Sequence, residues 1–148
     1  MRISTKGRYA LAAAVCMAQR YGGGEYITAV SVSEKLGISK IYLEQVFSLL
    51  KRGGIVVSVK GAQGGYILAR SPEKISAFEV LSSAENSLFE KAEETVAEKA
   101  PEIEEAMRAK LFDALDGAIG KLLTAVTLED LAAEADKNGQ AALGMFYI

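Results

Sequence analysis

The tightest constraint on the fold lies between residues 28 and 54. Thr28 precedes Ala29-Val30-Ser31-Val32-Ser33-Glu34-Lys35-Leu36, Gly37 follows, and Ser39 precedes a run from Lys40 to Arg52 that stops at Gly53-Gly54. Serine and threonine in these places cap helix N-termini by accepting a backbone N–H, and glycine closes a helix because it takes positive φ without a Cβ penalty. Two short helices joined by the turn Leu36-Gly37-Ile38-Ser39 make a helix-turn-helix pattern. Ala29, Val32 and Leu36 face inward on the first of the pair. On the second, Leu43, Val46, Phe47 and Leu50 share one face, while Ile41, Gln45, Ser48 and Arg52 fall opposite.

What flanks this pair defines the unit. Upstream, Ser4 or Thr5 caps a helix running to about Arg20, with Tyr9, Ala13, Cys16 and Met17 on one face and Tyr21-Gly22-Gly23-Gly24 as its stop. Downstream, Ile55 to Lys60 is rich in β-branched residues, Gly61-Ala62-Gln63-Gly64-Gly65 is a loop, and Tyr66 to Arg70 is a second strand-like run. The loop lacks the spacing of a nucleotide-phosphate loop and opens no helix. A hairpin after a helix-turn-helix reads as a wing, so residues 1–72 form a winged helix-turn-helix domain in a mainly α chain with one small β-hairpin.

Charge separates this domain from the rest. The formal net charge is only -2, yet residues 1–70 hold ten Lys/Arg against three acids, +7, and the remainder holds seven against sixteen, -9. A basic domain is the electrostatic footprint of a polyanion, and an acidic one repels it. The polar face of the second helix can therefore read DNA: Gln45 can pair with an adenine edge, and Ile41 suits a thymine methyl. The alternative is a solvated helix face in a winged helix that binds protein.

Composition excludes much chemistry. With no histidine and a single cysteine, Cys16, the chain cannot build a His/Cys zinc site, a CxxC redox pair, a four-cysteine iron-sulfur site or a His-based triad. On the inner face of the first helix, Cys16 reads as a small buried hydrophobe, with a reactive thiol as the alternative. Arg2, Lys6 and Arg8 precede an apolar run, but it is alanine-rich and has no small-x-small cleavage pattern, so it reads as a helix rather than a secretory signal. No apolar stretch is long enough to span a bilayer. A cytoplasmic protein without a membrane segment is expected.

In the acidic half, Ser76-Ala77-Phe78-Glu79 is a capping box opening a helix to about Ala84. Residues 85–99 are acidic and weakly apolar and could form a mobile helix. Pro101 suits a first helical turn, after which Ile103, Met107, Leu111, Leu115, Ile119 and Leu122 recur to Val126 as a stripe. The stripe serves either a partner helix or packing within the chain. Gly117 and Gly120 are explicable where two helices cross closely. Thr127 caps a last short helix ending near residue 136, leaving 137–148 as an apolar tail that finishes in Phe146, Tyr147 and Ile148. That tail either docks on its own dimer or offers a terminal carboxylate with side-chain anchors to a partner pocket.

Met1-Arg2-Ile3-Ser4-Thr5-Lys6-Gly7-Arg8-Tyr9-Ala10-Leu11, Ile38-Ser39, Tyr42-Leu43-Glu44-Gln45, Ser58-Val59-Lys60-Gly61-Ala62 and Gly64-Gly65-Tyr66 together resemble the Rrf-type winged-helix transcription regulators. The resemblance implies a regulator rather than an enzyme, acting as a homodimer on a pseudo-palindromic operator in double-stranded DNA. It implies base-edge or nearby phosphate contacts by Ser39, Lys40, Tyr42, Glu44 and Gln45. It also implies backbone or wing contacts by Thr5, Lys6, Arg8, Lys60, Gly61, Gln63 and Gly64. The remaining segments become a linker helix with a sensor-like stretch, 73–99, a dimerisation helix with the final helix, 100–136, and the tail. Cluster-binding members carry three cysteines before the dimer helix, and this chain has none between Ser82 and Lys110, so no cofactor or metal is expected. The ending, with Thr127-Leu128-Glu129-Asp130-Leu131 and Met145-Phe146-Tyr147-Ile148, is similar to the cysteine-metabolism repressor branch. Members of that branch associate with O-acetylserine thiol-lyase, the cysteine synthase. Sensing by a small molecule, or by oxidation of Cys16, is the alternative control.

Overall fold

The computed structural model describes residues 3–60, 64–86 and 90–145. Helix α1 spans Thr5–Gln19, α2 Ala29–Leu36 and α3 Lys40–Arg52, and each is capped by the residue the sequence nominates. The hydroxyls of Ser4, Thr28 and Ser39 accept the backbone N–H of Gly7, Ser31 and Tyr42. Gly37 closes α2 at φ 69°, where any Cβ would be strained, and so sets the tight turn into α3.

Strands β1 (Val56–Val59) and β2 (Gly65–Leu68) pair antiparallel, Val56 opposite Leu68 and Val59 opposite Gly65. Ile27 adds a single bridge to Tyr66, its N–H and C=O both bonded at 2.9 Å. The hairpin is anchored to α3 by stacking of Phe47 on Tyr66, ring centroids 4.4 Å apart and 11° from parallel. Phe47, Leu43, Val46 and Leu50 of α3 are fully buried with Ala10, Ala13 and Ala14 of α1 and Ile55. The core therefore lies behind α3 and leaves the opposite face to solvent.

A 3₁₀ turn at Pro72–Lys74 leads to α4 (Ala77–Ala84), where Ser76 Oγ accepts the Glu79 N–H at 3.2 Å. The Glu79 carboxylate turns instead to Arg70, 2.8 Å away, and ties α4 to the end of the hairpin. The helix read over 85–99 is not formed in its described part: Glu90 to Lys99 is irregular backbone with bends and a turn. Glu90, Glu93 and Glu94 would stack like charges at helical spacing, and the Thr95 N–H is taken by the Glu104 carboxylate.

Helix α5 (Pro101–Met107), a π turn (Arg108–Phe112) and α6 (Asp113–Ala125) follow without a break. The last helix, α7 (Leu128–Met145), is not short, because its 18 residues extend through Gly139. One glycine costs about 1 kcal/mol of helix propensity, which the alanines on either side offset. Thr127 and Asp130 cap it reciprocally, at 3.0 and 3.1 Å. Leu128 and Ala132 return to the core, and Gln19 of α1 donates to Asp136 at 2.9 Å.

Candidate nucleic-acid interface

The solvent face of α3 is set by the core behind it. Ile41 stands 74% exposed on this face, an apolar side chain presented to solvent near the start of α3. Gln45, Ser48 and Arg52 follow it on the exposed side. Lys6, from the first turn of α1, lines one shallow cleft with Ile41, Glu44, Gln45, Ser48, Leu49 and Arg52. Lys40 and Glu44 reach the other side of α3, where they line a second cleft with Gly64, Gly65 and Tyr66 of the wing. The helix is thus flanked by a cation from α1 and by the hairpin, an arrangement able to enter a major groove and grip phosphates beside it.

Sites named from sequence distribute unevenly over this surface. Lys6, Lys40, Glu44, Gln45 and Gly64 come together around α3. Lys60 is exposed just after β1. Ser39 is occupied as the cap of α3, and Arg8 donates to Thr5 Oγ1 at 3.2 Å. Lys40 and Glu44 approach to 3.9 Å in an exposed i,i+4 pair, of the kind that contributes little and is easily opened. Tyr42 is half-buried, its ring edge-on to Tyr9 at 5.2 Å, so it braces α1 against α3. Gly61 and Gln63 lie outside the described residues, as do Phe146, Tyr147 and Ile148. Arg52 belongs to the same cleft, and its seven-residue spacing from Gln45 was the available signal.

Along α5, the π turn and α6, Ile103, Leu111, Leu115 and Leu122 are 51 to 63% exposed, with Met107 and Ile119 half-buried beside them. A Cβ at Gly117 or Gly120 would meet nothing within 4 Å. Packing among the described residues therefore leaves most of the apolar stripe, and the space beside both glycines, uncovered.

Cys16 is buried on α1, and its burial pushes the thiol up from its ordinary pKa against the opposing pull of Arg20 and Lys35. A buried, protonated thiol is a poor nucleophile and a poor redox sensor.

A basic helix-turn-helix with a hairpin wing and an outward-facing second helix defines a winged-helix transcription regulator, not an enzyme. The chain belongs to the Rrf2 family, matching "Rrf2: Iron-dependent Transcriptional regulator" over residues 3–134. It is 34% identical over 148 residues, all of both chains, to the HTH-type transcriptional regulator CymR of Bacillus subtilis. It is 43% identical to IscR of Cereibacter sphaeroides over 89 residues, 60% of this chain and 57% of that protein. Among solved structures, CymR, the global cysteine regulator of B. subtilis, superposes with TM-score 0.76 at 32% identity, covering 90% of this chain and 98% of that one. T. potens IscR gives 0.71 at 33% identity, covering 93% and 90%.

The iron of the family's description finds a poor fit among these residues. A thiolate-held cluster needs several cysteines, whereas Cys16 stands alone in the chain, inside α1, and histidine is absent. Among the described residues no three His, Cys, Asp or Glu gather as a metal-binding group, and no described helix is long and apolar enough to cross a membrane.

Proposed function

We propose that this protein is a cytoplasmic, homodimeric, cluster-free repressor of cysteine or sulfur metabolism genes, controlled through a protein partner. The observation that carries DNA reading is the cleft in which Lys6 stands beside the exposed Ile41 and Gln45. Assignment to cysteine metabolism is supported by similarity along the full length of CymR. The exposed stripe on α5 and α6 supports a homodimer, which matches the two-fold symmetry of a palindromic operator.

The test is titration of an operator duplex selected from random DNA, at several salt concentrations. Gln45→Ala is expected to weaken binding by about 1–3 kcal/mol and relax specificity at one base pair. Lys60→Ala is expected to weaken binding to every sequence and to flatten the salt slope by about one unit. A wild-type protein that binds selected and scrambled duplexes equally would make this a winged helix without sequence readout.

Control by a partner rests on the tail. Residues 137–144 of α7, beyond the hydrogen bond of Gln19 to Asp136, are exposed all round, with Leu143 at 61%, which supports a segment carried clear of its own domain. Deletion of Tyr147 and Ile148 is expected to abolish binding to purified O-acetylserine thiol-lyase in calorimetry while the dimer persists in sedimentation. A truncated protein that becomes monomeric would assign the tail to the dimer instead.

A further inference from the structure

We infer that Glu85 is a positioning residue for DNA binding: from the end of α4 its buried carboxylate fixes the first turn of α1, and through it Lys6 and Arg8. The inference rests on the reading of those two cations as phosphate contacts. Glu85 is 7% exposed, the one buried charged side chain among the described residues. Its Oε1 accepts the Ser4 backbone N–H at 2.7 Å and also the Ser4 hydroxyl. The Ser4 oxygen in turn accepts the Gly7 N–H at 3.0 Å. One carboxylate thereby orients the residue that caps α1.

Electrostatics explains why a carboxylate is needed there. The first turn of α1 carries Lys6 and contains no acid, and Arg8 follows, although the N-terminal end of a helix already bears positive partial charge. Such a cluster of cations serves phosphate binding but opposes helix formation. Glu85 supplies the missing negative charge from behind, through the backbone. It forms no salt bridge with Lys6 or Arg8 among the described residues, so neither cation's charge is taken up by this carboxylate, and Arg8 is held only by its exposed hydrogen bond to Thr5. Gly7 is the complementary feature: a Cβ there would sit 2.3 Å from Glu85 Oε1. Glycine inside a helix is unfavourable, and here it makes room for the carboxylate.

A double-mutant cycle on the full chain with the selected operator duplex tests this. Glu85→Ala is expected to lower operator affinity about tenfold, the scale of a charge-assisted hydrogen bond, and to flatten the salt slope. In a Lys6→Ala/Arg8→Ala background the same substitution should change affinity no further. Glu85→Gln, which keeps an acceptor oxygen for Ser4, should restore part of the affinity. Gly7→Ala, which favours helix but displaces the carboxylate, should reproduce the loss. An equal loss in both backgrounds, tracking the thermal midpoint in circular dichroism, would make Glu85 merely structural. A loss on Lys6→Ala/Arg8→Ala with none on Glu85→Ala overturns the role of Glu85 alone. No effect of Lys6→Ala/Arg8→Ala overturns both that role and the reading of α1 on which it rests.

Discussion

A chain carrying Leu115→Asp is expected to sediment as a folded monomer and to lose its affinity for a palindromic operator. Leu115 is 51% exposed on α6 and contributes nothing to the core of its own chain, so circular dichroism should show the helices intact. In a two-fold interface the substitution occurs twice. Each uncompensated charge placed in an apolar contact costs about 3–5 kcal/mol, so the dimer dissociation constant should rise at least ten-thousandfold, roughly. Operator binding falls with it, because each monomer then holds one half-site without the help of the other. A Leu115→Asp protein that remains dimeric in analytical ultracentrifugation would move the interface off this stripe.

Phe47→Ala is expected to be the most destabilising single change inside the winged helix. The side chain is fully buried at the centre of α3 and stacked on Tyr66. Truncation removes its transfer energy and leaves a cavity, together about 3–5 kcal/mol. On a chain of this size that lowers the thermal midpoint by roughly 10 °C or more, compared at equal protomer concentration because dimerisation contributes. The loss also removes the stack by which α3 holds the hairpin. Urea unfolding gives the first quantity, and operator titration in the residual folded range gives the second. A change below about 1 kcal/mol would contradict the packing described, since large core truncations seldom cost so little.

The elements with local signals were legible in the sequence. Ser4, Thr28, Ser39, Ser76 and Thr127 each satisfy an N–H three residues along, so a short window of sequence contains the whole interaction. The reading face of α3 was legible for the same reason: its apolar residues recur at helical spacing and leave Gln45 opposite. What failed depended on opposing terms of similar size. Residues 137–145 continue α7 despite Gly139 because flanking alanines favour helix. The acidic stretch from Glu90 to Lys99 stays irregular, because carboxylates crowd a helix that has little apolar face to bury. Two features were out of reach altogether. The contact of Glu85 with Ser4 spans 81 positions of sequence, and the bracing of Tyr42 on Tyr9 depends on how α1 crosses α3. Lys6 was nominated by resemblance, but its place beside Gln45 comes only from that crossing.

The π turn at Arg108–Phe112 governs the rotational phase of the long helix. On an ideal α-helix Ile103 and Ile119 would stand about 160° apart around the axis, at about 100° per residue, and could not face one partner. A π turn absorbs one extra residue, roughly 100° of rotation, and brings them to about 60°. The apolar seam is therefore continuous because the helix is locally wide. Removing one residue other than Leu111 between 108 and 112 would let the helix close as a regular α-helix with the two halves of the stripe still about 60° apart, whereas winding all five residues as α-helix would turn the halves away from each other. The continuity of the apolar seam thus depends on where a single turn holds an additional residue.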